Sequence, residues 1–271
     1  MSAPIPNVLM EPAGLREQLD NARLLVVDLS GSESYAEAHV PGAVSLDYRR
    51  LVDGRPPAPG RLPALDRLSA LAADLGLQGE PWIVAYDDEG GGRAGRFLWT
   101  LHMLGHTRAS VLNGGIHAWR HEGHPLSREP TTSPTGRVDV SVNEAPRASR
   151  EYILGRLGDT TTRLLDARTP EEYAGSTVRA LRGGHIPGAV NLNWLDTIDT
   201  GRDTRLKPDE LLRDMLGQAG LTPDKEIIVY CQTHHRSAHS YTMLKHLGYE
   251  RVRAYDGSWS EWGNDPTLPI E

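Results

Sequence analysis

The sequence is poor in cysteine: its 271 residues hold one, Cys231. A single thiol cannot close an internal disulfide, so the fold is not expected to depend on an oxidising compartment. No secretion leader is expected either, since Met1-Ser2-Ala3-Pro4-Ile5-Pro6 has no basic segment running into a long apolar core. No apolar run approaches the length of a membrane span, so no membrane partner is expected. Positive charge is in deficit. Lys and Arg number 29 against 36 Asp and Glu, a net charge of −7, and that balance speaks against nucleic acid. These absences make the cytoplasm the expected location. An acidic protein that handles an anion must gather its positive potential locally.

What is present is organised around one stretch. Ile227-Ile228-Val229-Tyr230 is a short, mostly β-branched run of the kind buried in a parallel sheet. It leads into Cys231, then Gln232, Thr233, His234 and His235, and then Arg236. Ser237 to Leu247 reads as a helix closed by Gly248. Strand, tight loop and helix N-terminus form a cradle whose backbone N–H groups converge at the positive end of the helix dipole. A thiol held there is expected to be largely thiolate near neutral pH, with Arg236 favouring the charged form. A lone cysteine more often ends as a small core residue. The polar residues and guanidinium directly downstream do not suit a dry core.

The chain also repeats itself. Leu24-Leu25-Val26-Val27-Asp28, then Glu33-Ser34-Tyr35-Ala36 and His39-Val40-Pro41-Gly42-Ala43, return as Arg163-Leu164-Leu165-Asp166, Glu171-Glu172-Tyr173-Ala174 and His185-Ile186-Pro187-Gly188-Ala189. Without a gap, Asp88 falls on Cys231, Arg93 on Arg236, and Asn113-Gly114-Gly115 with Trp119 on Asp256-Gly257-Ser258 with Trp262. Short apolar strands alternate with amphipathic helices, such as Leu62 to Leu75 and Pro208 to Ala219. The expected class is therefore α/β: two tandem copies, each a parallel sheet with helices on both faces. The copies are placed at residues 1–123 and 147–271. Residues 124–146 are read as a linker laid along the surface, with a strand-like alternation from Arg137 to Val142.

With these motifs in hand, the chain resembles the rhodanese family of sulfurtransferases, in particular its tandem-domain thiosulfate:cyanide members. The resemblance rests on the two His-x-Pro-Gly-Ala runs, Asp166-Ala167-Arg168-Thr169-Pro170-Glu171-Glu172-Tyr173, the Cys231 loop and Asp256-Gly257-Ser258-Trp259-Ser260-Glu261-Trp262. It implies a catalytic second copy and a silent first copy with Asp88 at the place of Cys231. It implies a small anionic sulfur donor such as thiosulfate, cyanide or a thiol as acceptor, and a persulfide on Cys231, with no cofactor. Gln232, Thr233, His234, His235 and Arg236 would form the substrate-binding loop. Better-known members carry Cys-Arg-Lys-Gly-Val-Thr, whose lysine contacts thiosulfate. Thr233 stands at that lysine, and a second substrate-binding arginine falls on Glu172. The loop also differs from the Cys-Gly-Ser-Gly-Val-Thr of mercaptopyruvate sulfurtransferases. The alternatives are a persulfide carrier serving a protein acceptor, from another class, and a mercaptopyruvate sulfurtransferase.

Such chemistry needs fixed positive charge where a thiolate meets an anion. Arg236 is the first choice, with bracing of the loop as its structural role. His234 and His235 either add charge below about pH 6.5 or line the rim of the pocket. Arg179 and Arg182 read as a solvated basic stretch that could also supply charge. Asp166 and Arg168 read as an internal charged pair. No spaced His/Cys set suggests a metal. Cysteine phosphatases place five residues between Cys and Arg, against four here, Gln232 to His235. Cys231→Ser is expected to abolish sulfur transfer with the fold intact, because a hydroxyl is no comparable nucleophile at neutral pH. Thiocyanate formation measured beside circular dichroism tests this, and turnover in a natively folded Ser variant would contradict it.

Overall fold

The computed structural model describes residues 7–132 and 138–271. The Met1–Pro6 start read for a secretion leader, and Arg137 at the head of the alternating run, lie outside the described residues. The chain divides into two compact units. The first takes residues up to Leu51, Pro63–Asn143 and Asp199–Leu206; the second takes Val52–Leu62, Glu144–Ile198 and Lys207–Glu271. Each half of the sequence thus lends a short segment to the other half's unit.

In the first unit five parallel strands lie in the order Leu9–Met10, Ala109–Leu112, Trp82–Tyr86, Leu24–Asp28, Val44–Ser45. Alternate side chains of these strands serve two separate cores. Val27, Ile83 and Ala85 pack with Leu71, Phe97, Leu98 and Leu101 of the helices Leu65–Asp74 and Gly92–Met103. Val26, Val84 and Tyr86 pack with Leu15, Ile116 and Trp119 of the helices Pro12–Gln18 and Gly115–His121. Both faces are covered by helices, as expected of strands this uniformly apolar.

The second unit repeats the plan with four parallel strands in the order Val252–Ala254, Glu226–Tyr230, Thr162–Asp166, Ala189–Asn191. Ile228 and Tyr230 pack with Trp259 and Trp262, while Ile227 and Val229, of opposite parity, are also fully buried. The chain first crosses from Thr162–Asp166 to one side of the sheet and then to the other. Strand order therefore reverses between Thr162–Asp166 and Glu226–Tyr230, and a ligand crevice of such a sheet lies beyond the carboxyl ends of the strands at that reversal. Cys231 follows directly.

The repeated sequence motifs are repeated contacts. Tyr35 stacks on His39 with ring centres 3.8 Å apart, and Tyr173 on His185 at 3.7 Å. Tyr35 Oη donates to the Ala43 carbonyl at 2.8 Å, and Tyr173 Oη to that of Ala189 at 2.7 Å. Val40 N–H donates to Tyr86 Oη, and Ile186 N–H to Tyr230 Oη. Trp119 and Trp262 each donate their indole N–H to a proline carbonyl, at Pro125 and Pro269. Described residues on either side of 133–137 are tied down by the backbone. Ser127 and His39 exchange backbone hydrogen bonds, Asn143 N–H reaches the Met103 carbonyl, and Ala254 N–H reaches that of Pro146. Residues 138–142 form no strand. Val138 and Val140 instead pack on the first unit's core, so the alternation reflects side-chain burial without a ladder partner.

Gly115 has φ +54°, and a Cβ on it would fall 2.1 Å from the Asp87 carbonyl oxygen. Gly123 is also left-handed, at φ +71°, but faces open space. Gly123→Ala should therefore cost about 1 kcal/mol, the steric penalty of that conformation. Gly115→Ala should cost several times more, because the backbone itself must shift. Paired thermal melts check the ordering; equal losses would refute it.

Candidate active site

Cys231 ends the strand Glu226–Tyr230, and the helix Arg236–His246 begins five residues later. The thiol is 1% exposed. Burial pushes it up, but the Arg236 charge, the Ser237 hydroxyl and the N–H groups of Ser237 and Thr233 outweigh that, and the net direction is down. The cradle expected from the sequence is thus present in the directions of individual donors. One N–H goes elsewhere: His234 N–H donates to Ser258 Oγ at 3.1 Å, beside a longer bond from Cys231 N–H at 3.4 Å.

The loop's carbonyls are held from behind. Trp259 N–H donates to the Cys231 carbonyl at 2.9 Å and Ser260 N–H to that of Gln232 at 3.0 Å. Ser258 makes this turn with φ +52° and donates its hydroxyl to the Tyr255 carbonyl at 2.8 Å. The segment Val52–Leu62 closes over the same loop. A Cβ on Gly60 would fall 2.1 Å from the Thr233 carbonyl oxygen, so glycine is required there by close approach. Leu62 N–H donates to buried Asp256, and Arg61 ion-pairs with Glu261. Sequence reasoning had assigned this segment no role.

Arg236 is not a free cation. Its fork holds both oxygens of Glu172, at 2.5 and 3.0 Å, and Arg179 reaches the same carboxylate at 3.1 Å. Burial pushes Glu172 up, yet Arg236, the Thr169 N–H and Arg179 pull its carboxyl down to about 2. Thr169 adds a reciprocal cap on the helix Pro170–Tyr173 that carries Glu172. The guanidinium of Arg179 is largely exposed, and its carbonyl accepts from Gln232 Nε2 at 3.0 Å. Arg182 is part-buried and engaged by the backbone. Its guanidinium donates to the carbonyls of Leu268, Trp262 and Asp265. Asp166 and Arg168 form the buried pair read from the sequence, joined at 2.6 Å, with Arg168 also donating to the Gly184 carbonyl.

The two histidines part company. His235 is half-buried, its ring edge-on to Trp194 with centres 6.0 Å apart. His234 does not line the rim; it is fully buried, with Nδ1 2.8 Å from Ser237 Oγ. The tight loop turns it inward through a left-handed backbone, φ +53°.

In the first copy, Asp88 is the sequence counterpart of Cys231 but does not fill the cradle. It faces Arg93 and Ser34, each at 3.3 Å. The carboxylate that accepts the loop's N–H groups is that of Asp87, from Glu89, Gly91 and Ala94 at 3.1, 2.8 and 2.9 Å. Left-handed Gly90 and Gly91 let the loop close on the residue before Asp88.

A buried thiol in an N–H cradle, at the strand-order reversal of a duplicated α/β sheet, defines a cysteine-centred group-transfer protein. The chain belongs to the rhodanese family: the rhodanese-like domain matches at residues 11–122 and again at 149–265. It is 48% identical over 264 residues to the thiosulfate sulfurtransferase of Azotobacter vinelandii, with 97% of each chain covered. The sulfur carrier protein TtuD of Thermus thermophilus is 34% identical, over 98% of this chain and 96% of that one. Among solved structures, SseA of Escherichia coli, described with the 3-mercaptopyruvate sulfotransferases, matches with a TM-score of 0.83. That match is at 26% identity, over 94% of this chain and 99% of the other.

Glu172 gives a pH signature. Its folded value of about 2 lies below the ordinary 4.5. The stability it contributes is whole above about pH 4.5 and is lost as pH falls towards 2. Glu172→Gln should therefore destabilise at pH 7, and the gap from the parent should close between pH 4.5 and 2. Urea midpoints across that range check it; a constant gap would refute it.

Proposed function

We propose that the protein moves a sulfane sulfur from thiosulfate, or a donor like it, to cyanide or a thiol through a persulfide on Cys231. The observation that carries this is the buried thiol held below its ordinary value by Arg236, Ser237 and the Thr233 N–H. The thiolate attacks the outer sulfur of thiosulfate. A new S–S bond forms, the old one breaks, and sulfite leaves with the electron pair. Cyanide then bonds the outer sulfur, thiocyanate departs, and the pair returns to Sγ. Sulfur enters and leaves at one atom, which suits ping-pong kinetics. Gln232 and Arg179 stand at the loop's open side, Thr233 and Arg236 orient its backbone and charge, and His235 with Trp194 lies beside it. The first copy, with Asp87 in its cradle, carries no nucleophile. The cytoplasm, where small thiols abound, suits a lone reactive cysteine.

A second reading is a carrier that loads sulfur and passes it to a protein acceptor. Two observations favour it: the similarity to TtuD, and the Glu172 carboxylate that offsets Arg236 beside an anionic donor. Steady-state thiocyanate production separates the readings, since a carrier loads once and turns over slowly. Mass spectrometry of the donor-treated protein should show one added sulfur atom on Cys231. Its absence would overturn both readings.

Because Arg236 is already engaged, an added cation should help a dianionic donor. Thr233→Lys should raise kcat/KM for thiosulfate about fivefold at low ionic strength, the equivalent of ~1 kcal/mol. The gain should shrink as salt screens it. Kinetics that do not change with the substitution at any salt would show that the donor meets no deficit of positive charge.

A further inference from the structure

The loops of the two copies turn on different residues. At the offset that sets Asp88 on Cys231, Gly91 takes the place of His234 and Ala94 that of Ser237. Gly91 adopts φ +95° at no steric cost, whereas His234 holds φ +53° with a Cβ. A strained residue persists only where its surroundings over-determine it, and such residues gather at functional sites. Here the strain brings the His234 ring into the protein interior, with Nδ1 2.8 Å from Ser237 Oγ. Both residues are fully buried. Ser237 in turn lies close enough to Cys231 for its hydroxyl and its N–H to be among the groups that lower the thiol. The histidine–serine pair occurs in the copy that has the thiol and is absent from the one that has a carboxylate.

We propose that Ser237 is a second catalytic residue of sulfur transfer, its hydroxyl donating to Sγ of Cys231, and that His234 is the positioning residue that fixes this direction by donating from Nδ1 to Ser237 Oγ. The proposal rests on Cys231 being the sulfur that turns over. A hydroxyl has one hydrogen and accepts through its lone pairs. If His234 donates to it, the hydrogen is left for the sulfur. A neutral imidazole protonated on Nδ1 suffices, so the arrangement does not require a charged histidine. Its benefit falls where charge develops on Sγ. When cyanide takes the outer sulfur, a C–S bond forms from the cyanide lone pair and the S–S bond breaks. The S–S pair then lands on Sγ, and no proton moves. A fixed donor aimed at that atom stabilises the transition state of this step.

The test is single-turnover discharge of the Cys231 persulfide by cyanide, read beside the pH midpoint of Cys231 alkylation by iodoacetamide. The charged groups around the sulfur are Arg236, with Glu172 and Arg179 behind it, and the Asp166–Arg168 pair on the adjoining strand. All are left unchanged. Ser237→Ala should slow discharge at least tenfold, by about the effect of losing one oxyanion donor, and should move the alkylation midpoint upward. His234→Ala should do the same. The double variant should be no worse than Ser237→Ala alone, because one residue acts through the other. His234→Asn tolerates the left-handed backbone and offers an amide N–H near the place of Nδ1, so it should recover part of the rate. Parent-like discharge and midpoint in Ser237→Ala would overturn the proposal, as would losses that add in the double variant. Should the substitutions unfold the protein, nitrogen-15 NMR of the unsubstituted protein decides. The Nδ1–H form of His234 is expected, and a neutral Nε2–H form would refute it. If the parent loads no persulfide, the sulfur-transfer reading fails, while the alkylation midpoints still judge the hydrogen bond.

Discussion

A five-residue turn cannot point its N–H groups at one sulfur unless its carbonyls are satisfied on the opposite side. That constraint governs the site. The carbonyls of Cys231 and Gln232 are taken by the N–H groups of Trp259 and Ser260, and that of Thr233 lies against the bare backbone of Gly60. The turn that supplies these donors is held by Asp256 and Glu261, themselves tied to Leu62 and Arg61. Buried backbone groups left unpaired would cost more than the loop could return. The thiolate is therefore stabilised from in front only because the peptide dipoles are fixed from behind.

The fold was legible because its motifs are contacts. The tyrosine of Glu-x-Tyr-Ala and the histidine of His-x-Pro-Gly-Ala meet as a stacked pair in each copy, so their recurrence in order carried the architecture. Cys231, its helix and the positive cradle were legible as well, since strand, loop and helix are contiguous. Pairings distant in sequence were not. Nothing local to Glu172 says that its carboxylate grips Arg236, 64 residues away. The Gly60 segment has no period to mark it, and its partner lies in the other half of the chain. Asp88 was placed by alignment alone, and the glycine-rich loop turns Asp87 inward instead. A closer comparison of the copies held a usable signal: Gly91, Ala94 and Gly115 become His234, Ser237 and Ser258. Each change introduces a hydrogen-bonding side chain around the one residue that needs it.

The charges at the site are arranged to cancel. A thiolate at Cys231 and the Glu172 carboxylate face Arg236 and the half-free Arg179. Two negatives meet two positives before any substrate arrives. Against the push of burial, the Arg236 charge is the largest influence holding the thiol down, and the Ser237 hydroxyl with the N–H groups of Ser237 and Thr233 adds to it through oriented dipoles that need no counterion. That balance distinguishes this pocket from one built around surplus cations.

The solitary cysteine has a further consequence, in the language of damage and repair. If Cys231 is oxidised to the sulfenic acid, no other cysteine in the chain can condense with it. No internal disulfide can shelter it, and each step further along the oxidation ladder removes the chain's sole thiol. Burial at 1% exposure slows the encounter with an oxidant, and a resident persulfide would present its outer sulfur first. Recovery then depends on a thiol from solution slender enough to reach the sulfur, so the redox poise of the surroundings sets the working lifetime of the protein.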